Sequence, residues 1–133
     1  MLNIFPTMFL ALLAHALLRL FTAGTLAYLG LRHLGHDRNH LIEASRVHWK
    51  KLAPSAVWAL GLSELLIAGF LFVGAFTQIA ALIFAILSIK MLFLRRTFNH
   101  PSIPSSLFYV LTLGISLSLF ITGAGAFAVD LPL

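Results

Sequence analysis

Four apolar runs, at residues 6–31, 54–75, 77–94 and 105–127, are separated by shorter stretches where polar residues collect. The spacing predicts helices. At ~1.5 Å rise per residue, the shortest run makes a helix of about 27 Å and the second run one of about 33 Å, against a hydrocarbon core of ~30 Å. Each run is therefore long enough to cross a bilayer, or nearly so. The short step at residues 74–77 makes the second and third helices a tight antiparallel hairpin. The expected fold is an all-α membrane protein, a four-helix antiparallel bundle formed by one domain over residues 1–133.

Helical phase gives each run an inner face. In the first, His15, Arg19, Thr22 and Leu26 fall on one stripe; in the second, Gly61, Glu64, Ala68 and Ala75 do. Polar groups in lipid must face protein, and small residues let helix backbones approach, so these stripes are expected to face the bundle. In the third run Gln78, Ala81, Ala85 and Ser88 share a side. Lys90 lies opposite them and is expected to snorkel to the interface near Arg95 and Arg96. The fourth carries a mild stripe of Tyr109, Thr112 and Ser116.

Between the first two runs, residues 38–52 form an amphipathic pattern. Leu41, Ile42, Trp49 and Leu52 lie on one side, and Glu43, Arg46, Lys50 and Lys51 on the other. With Asp37 or Asn39 as its N-cap, this segment is expected to be a helix lying in the membrane interface.

Composition agrees with the membrane reading. Sixty per cent of residues are hydrophobic and only 10% are charged, against about 25% charged in soluble chains. Mean hydropathy is +0.99. The net charge of +5 sits between apolar runs, so it points to anionic lipid head groups at Arg46, Lys50 and Lys51 and not to nucleic acid. Five Lys and Arg lie in residues 32–53 and two in 95–104, with none in the 74–77 step. The positive-inside rule puts both connections in the cytoplasm and both termini outside. The N-terminal run lacks a basic lead-in and exceeds the length of a secretory signal, so it reads as a retained helix.

The absence of cysteine excludes disulfides, thiol nucleophiles, thiolate-held iron–sulfur clusters and covalent c-type haem. No haem is expected, since His15 has no second His at its depth on another helix. His33, His36 and His40 with Asp37 have helical metal-ligand spacing, but Gly35 interrupts them; no metal site is expected. Arg19 and Glu64 each stand near the middle of a run, which predicts matching depth and a charge-assisted pair. Such a pair serves equally as a clasp fixing helix register or as an intramembrane site, with His15 and Tyr109 as further candidates.

Three stretches in order resemble the DoxX family of small prokaryotic four-helix membrane proteins, which includes DoxD-type sequences. They are LLRL around Arg19 followed by YLGLRHL; ELLIAGFLFVGAFTQIAAL from Glu64; and GAGAFAVD ending at Asp130. The chain departs from that family in having Gln78 where a basic residue is usual in the turn, and in its basic first connection. The resemblance implies a prokaryotic inner-membrane location. It also implies a membrane subunit of an oxidoreductase assembly, similar to thiosulfate:quinone oxidoreductase, with a quinone contact and a protein partner or second copy. A non-enzymatic scaffold and a small oligomeric carrier remain open alternatives.

Overall fold

The computed structural model describes residues 7–97, 103–123, 125 and 128–129, with the side chains of residues 7–9, 47–49 and 96–97 left out. The expected helix start at residue 6, the Trp49 and Arg96 side chains and Asp130 lie outside the described set. Among the described residues the chain is all-helical. The helices are α1 (Thr7–Leu34), α2 (Arg38–Trp49), a 3-10 turn (Lys50–Leu52), α3 (Ala53–Val73), α4 (Thr77–Thr97) and α5 (Ser106–Thr122). The segments Leu10–Leu34, Lys50–Val73 and Thr77–Arg95 are long and apolar enough to cross a membrane. α5 is shorter than its apolar run suggests. Gly123, at φ 76°, ends it at Thr122, so its 17 residues span about 26 Å.

Local chemistry sets the other boundaries. Pro54 sits in the first turn of α3, where a missing N–H costs nothing. Gly74 closes that helix at φ 72°, its N–H donating to Phe70 O at 2.9 Å. Ser105 caps α5, its hydroxyl accepting from the Phe108 N–H at 3.3 Å. Asp37 precedes α2 but makes no side-chain cap. Its carboxylate turns back instead, pairing with Arg32 at 2.5 Å and His36 at 3.0 Å. Hydrogen bonding from His36, then the Arg32 guanidinium, holds its pKa below the ordinary 3.8 despite burial.

α1 packs chiefly on α3, and α4 on α5. Near the α3–α4 turn, all four long helices share a core in which Leu26, Leu71 and Leu119 are almost fully enclosed. A second cluster at the opposite end brings Leu41 of α2 against Val57, Met91, Ile103 and Tyr109. Most of the inner stripes face inward: Arg19, Thr22, Leu26, Gly61, Glu64, Ala68, Ala81, Ala85, Ser88, Tyr109, Thr112 and Ser116 are buried, whereas His15 and Ala75 are half-buried and Gln78, in the first turn of α4, is exposed. Outward stand Phe21 at 83%, Phe72 at 68% and Ile121 at 77% exposure. A water-facing surface of that kind would aggregate, whereas lipid tails solvate it. Since lipid is as apolar as leucine, close packing and internal polar contacts hold such a bundle together.

α2 only partly follows its expected amphipathic face. Leu41 is buried and Ile42 half-buried, while Leu52 is 62% exposed. The reason is that α2 ends at Trp49, and the 3-10 turn that follows rotates Leu52 away from the Leu41 side. Glu43, Arg46, Lys50 and Lys51 are exposed as expected.

Candidate functional site

The α1–α3 register decides which polar groups meet. Gly30 and Gly61 form the closest approach. A Cβ on Gly30 would lie 2.8 Å from Leu65 Cγ and 3.0 Å from the Gly61 carbonyl oxygen; one on Gly61 would lie 2.6 Å from Leu34 Cγ. At the other end of the same interface, a Cβ on Gly74 would overlap the Arg19 guanidinium. The helices are therefore antiparallel, with residue 30 near residue 64 and residue 19 near residue 74.

Glu64 accordingly pairs with His33, not Arg19. His33 Nδ1 stands 2.7 Å from Glu64 Oε2, with both side chains at least 96% enclosed. Arg19 precedes Gly30 by eleven residues in α1, about 16 Å along the axis. The expectation of matching depth failed because α1 has 28 residues against 21 in α3. α1 runs well past the end of α3, so the helix midpoints do not coincide.

The four candidates thus divide between two ends. His15 and Arg19 lie toward the α3–α4 turn, where the C-terminal segment also arrives. A Cβ on Gly125 would meet His15 Cβ at 2.8 Å, and Ala128 lies against Gly74. His15 Nδ1 is 2.6 Å from Ala11 O in its own helix, which satisfies one ring nitrogen locally. Arg19 is buried at this end, with its guanidinium beside Gly74.

Glu64 and Tyr109 lie toward the α2 end, within electrostatic reach of each other. With His33 they make the candidate site. His33 Nε2 and the Tyr109 hydroxyl are buried with no hydrogen-bond partner among the described residues. The hydrogen bond between Nδ1 and the carboxylate fixes the imidazole ring and leaves Nε2 turned away from the carboxylate. Intramembrane ionisable groups are costly, so a paired imidazole and carboxylate beside a free phenol is an arrangement suited to proton handling.

The sequence offers His33 only as a candidate metal ligand. The missed signal is the pair of glycines on the seam: Gly30 packs on Gly61 and Leu65, and Gly61 on Leu34, and this staggered contact sets the slide of α1 along α3 that lets His33 reach Glu64. His36 turns to Asp37 on the outside, so the histidines do not converge. No group of three or more His, Asp or Glu side chains able to hold a metal occurs among the described residues.

Beside this cluster is a cleft of about 450 Å³ between α2, α3 and α4, within the size range of small-molecule sites. Leu41 and Ser45, Ala59 and Ser63, and Leu87 and Lys90 contribute from the three helices. Val57 and Leu60 of its wall lie on the same α3 row as Glu64, and Tyr109 packs behind Val57 and Met91. Lys90 is exposed as expected, but it faces this cleft. Comparison with protein-family models, curated proteins and solved structures finds no match.

Proposed function

We propose that this chain is a DoxX-like inner-membrane protein of a prokaryote, with four antiparallel spans, serving as the membrane subunit of an oxidoreductase assembly that contacts quinone. The observation that carries the reading is the enclosed His33–Glu64 pair beside the unpartnered Tyr109 hydroxyl. α5 is the fourth span, its length made up by bilayer thinning and by the flanking segments. The basic residues around α2 and at the end of α4 face the cytoplasm, in keeping with the positive-inside rule. Arg46, Lys50 and Lys51, all exposed, meet anionic head groups or an acidic partner.

A quinone, when bound, supplies an acceptor of two electrons and two protons. Its carbonyl oxygens need donors, and the buried Tyr109 O–H and a protonated His33 Nε2 fit that requirement. Glu64 holds the imidazole in place and stabilises it when it carries a second proton. Tyr109 provides a neutral hydrogen bond in a water-poor environment, where such bonds are strong. Val57, Met91 and Ile103 pack with Tyr109 and keep its surroundings apolar.

Purification in mild detergent, with identification of co-purifying protein and lipid-soluble cofactor, tests the assembly. A photoreactive short-chain quinone tests the site: Tyr109→Phe and Glu64→Gln should each weaken labelling about tenfold, the loss of one or two buried hydrogen bonds. Labelling at wild-type strength in both variants rejects the quinone contact. The exposed basic face of α2 also favours a scaffold reading. That reading gains if neutralising Lys50 and Lys51 abolishes partner pull-down while Glu64→Gln leaves it intact. Substrate flux into proteoliposomes would mark a carrier instead.

A further inference from the structure

We propose that the cleft between α2, α3 and α4 is a binding site for an anionic phospholipid, with one acyl chain between α3 and α4 and the phosphate on Lys90. The cleft exists because α3 presents Ala56 and Ala59 where α4 presents Leu87 and Met91. Small side chains on one wall leave a channel that the turn at Gly74, which holds the two helices together at their far end, cannot close. The walls are almost wholly apolar, as an acyl chain requires.

Charge selects the head group. Lys90 is the single cation on the cleft lining, and no acidic side chain lines it among the described residues. It stands seven residues before the end of α4 at Thr97, about 10 Å, a depth from which a lysine reaches the head-group layer. Arg95, the next cation on α4, donates to Ile103 O and is committed to the fold. Exposed Arg46, Lys50 and Lys51 at the same end raise the local concentration of anionic lipid without entering the cleft.

The polar groups of the cleft do not suit a neutral ligand. Ser45 donates to Leu41 O at 2.5 Å and Ser63 to Leu60 O at 2.7 Å. Their hydroxyl protons are used, which leaves a full positive charge as the donor. A phosphate neutralises that charge, whereas a quinone carbonyl would leave it uncompensated at the edge of an apolar cleft. This site is separate from the Tyr109 and His33 atoms and stands whether or not the protein contacts quinone.

The test is native mass spectrometry of protein extracted from vesicles of equimolar phosphatidylglycerol and phosphatidylcholine. The wild type should retain phosphatidylglycerol preferentially. Lys90→Gln should lower that preference about fivefold, the contribution of one Lys near an anionic leaflet, and Lys90→Arg should keep it. Ala59→Trp, which fills the cleft from an exposed position, should reduce retention of both lipids. A triple Arg46→Gln, Lys50→Gln, Lys51→Gln variant should still hold its tightly bound lipid. An unchanged preference in Lys90→Gln, loss only in the triple variant, or displacement of the lipid by a quinone analogue would each overturn the assignment.

Discussion

Removal of His33 makes the sharpest test of the intramembrane pair. In the wild type, the imidazole contacts Glu64 at 2.7 Å with both groups enclosed. In His33→Leu the carboxylate loses that partner. It can then avoid being a bare buried charge only by taking a proton. The destabilisation should therefore approach ~3–4 kcal/mol, in line with other broken buried pairs. Glu64→Leu should cost less, about 1–2 kcal/mol, because it leaves no carboxylate behind without its partner and removes one hydrogen bond. The double variant should recover most of the loss, giving a coupling well above the ~0.6 kcal/mol of an ordinary intramembrane hydrogen bond. Unfolding in mixed detergent micelles, titrated with sodium dodecyl sulfate, measures all four corners of the cycle. A His33→Leu cost no larger than that of Glu64→Leu, or additive losses in the double variant, would refute the reasoning. Coupling between Arg19 and Glu64 in a parallel cycle would refute the helix register itself.

Other consequences follow from the same geometry. Gly30→Val should destabilise by about 1–3 kcal/mol, as overpacking does, because its Cβ meets the Gly61 backbone at 3.0 Å; Gly24→Val, with nothing within 4 Å, should stay within about 0.5 kcal/mol in the same unfolding assay. Asp37 titrates below its ordinary 3.8, so its contribution is complete above that value and is lost as pH falls through the lower folded one. Thermal melts in detergent should show Asp37→Asn destabilising at pH 6 and matching the wild type in strong acid; a constant difference would exclude the ion pairs as cause. Because the chain has no cysteine, single substitutions report topology cleanly. Lys51→Cys should react with an impermeant maleimide only after the membrane is opened, and Phe76→Cys in intact cells; the reverse pattern inverts the orientation.

Much of the architecture was legible because a bilayer imposes simple demands. A run long enough to cross it, with its polar residues on one stripe, has few alternatives to a helix facing protein on that stripe. The inward placement of Arg19, Glu64, Tyr109, Thr112 and Ser116 and the outward placement of Lys90 follow from phase alone. The early end of α5 was less legible, since apolar residues continue to 127 while Gly123 turns the backbone at 122.

Partnership was not legible, because it depends on register and helix length together. Glu64 stands at the middle of α3, but α1 overshoots that helix, and the Gly30–Gly61 contact brings His33 to the carboxylate in place of Arg19. Composition and periodicity carry no information about how far two helices slide along each other; steric contact between particular small residues does. The cleft was invisible for the same reason. It comes from Ala56 and Ala59 facing larger side chains on α4 where α3 and α4 diverge, a coincidence of neighbours that only packing in three dimensions brings about. Charge count and helical phase thus define a membrane bundle with a buried carboxylate. The tertiary contacts decide that the carboxylate belongs to an imidazole, and that Lys90 guards an apolar cleft instead of merely reaching for the interface.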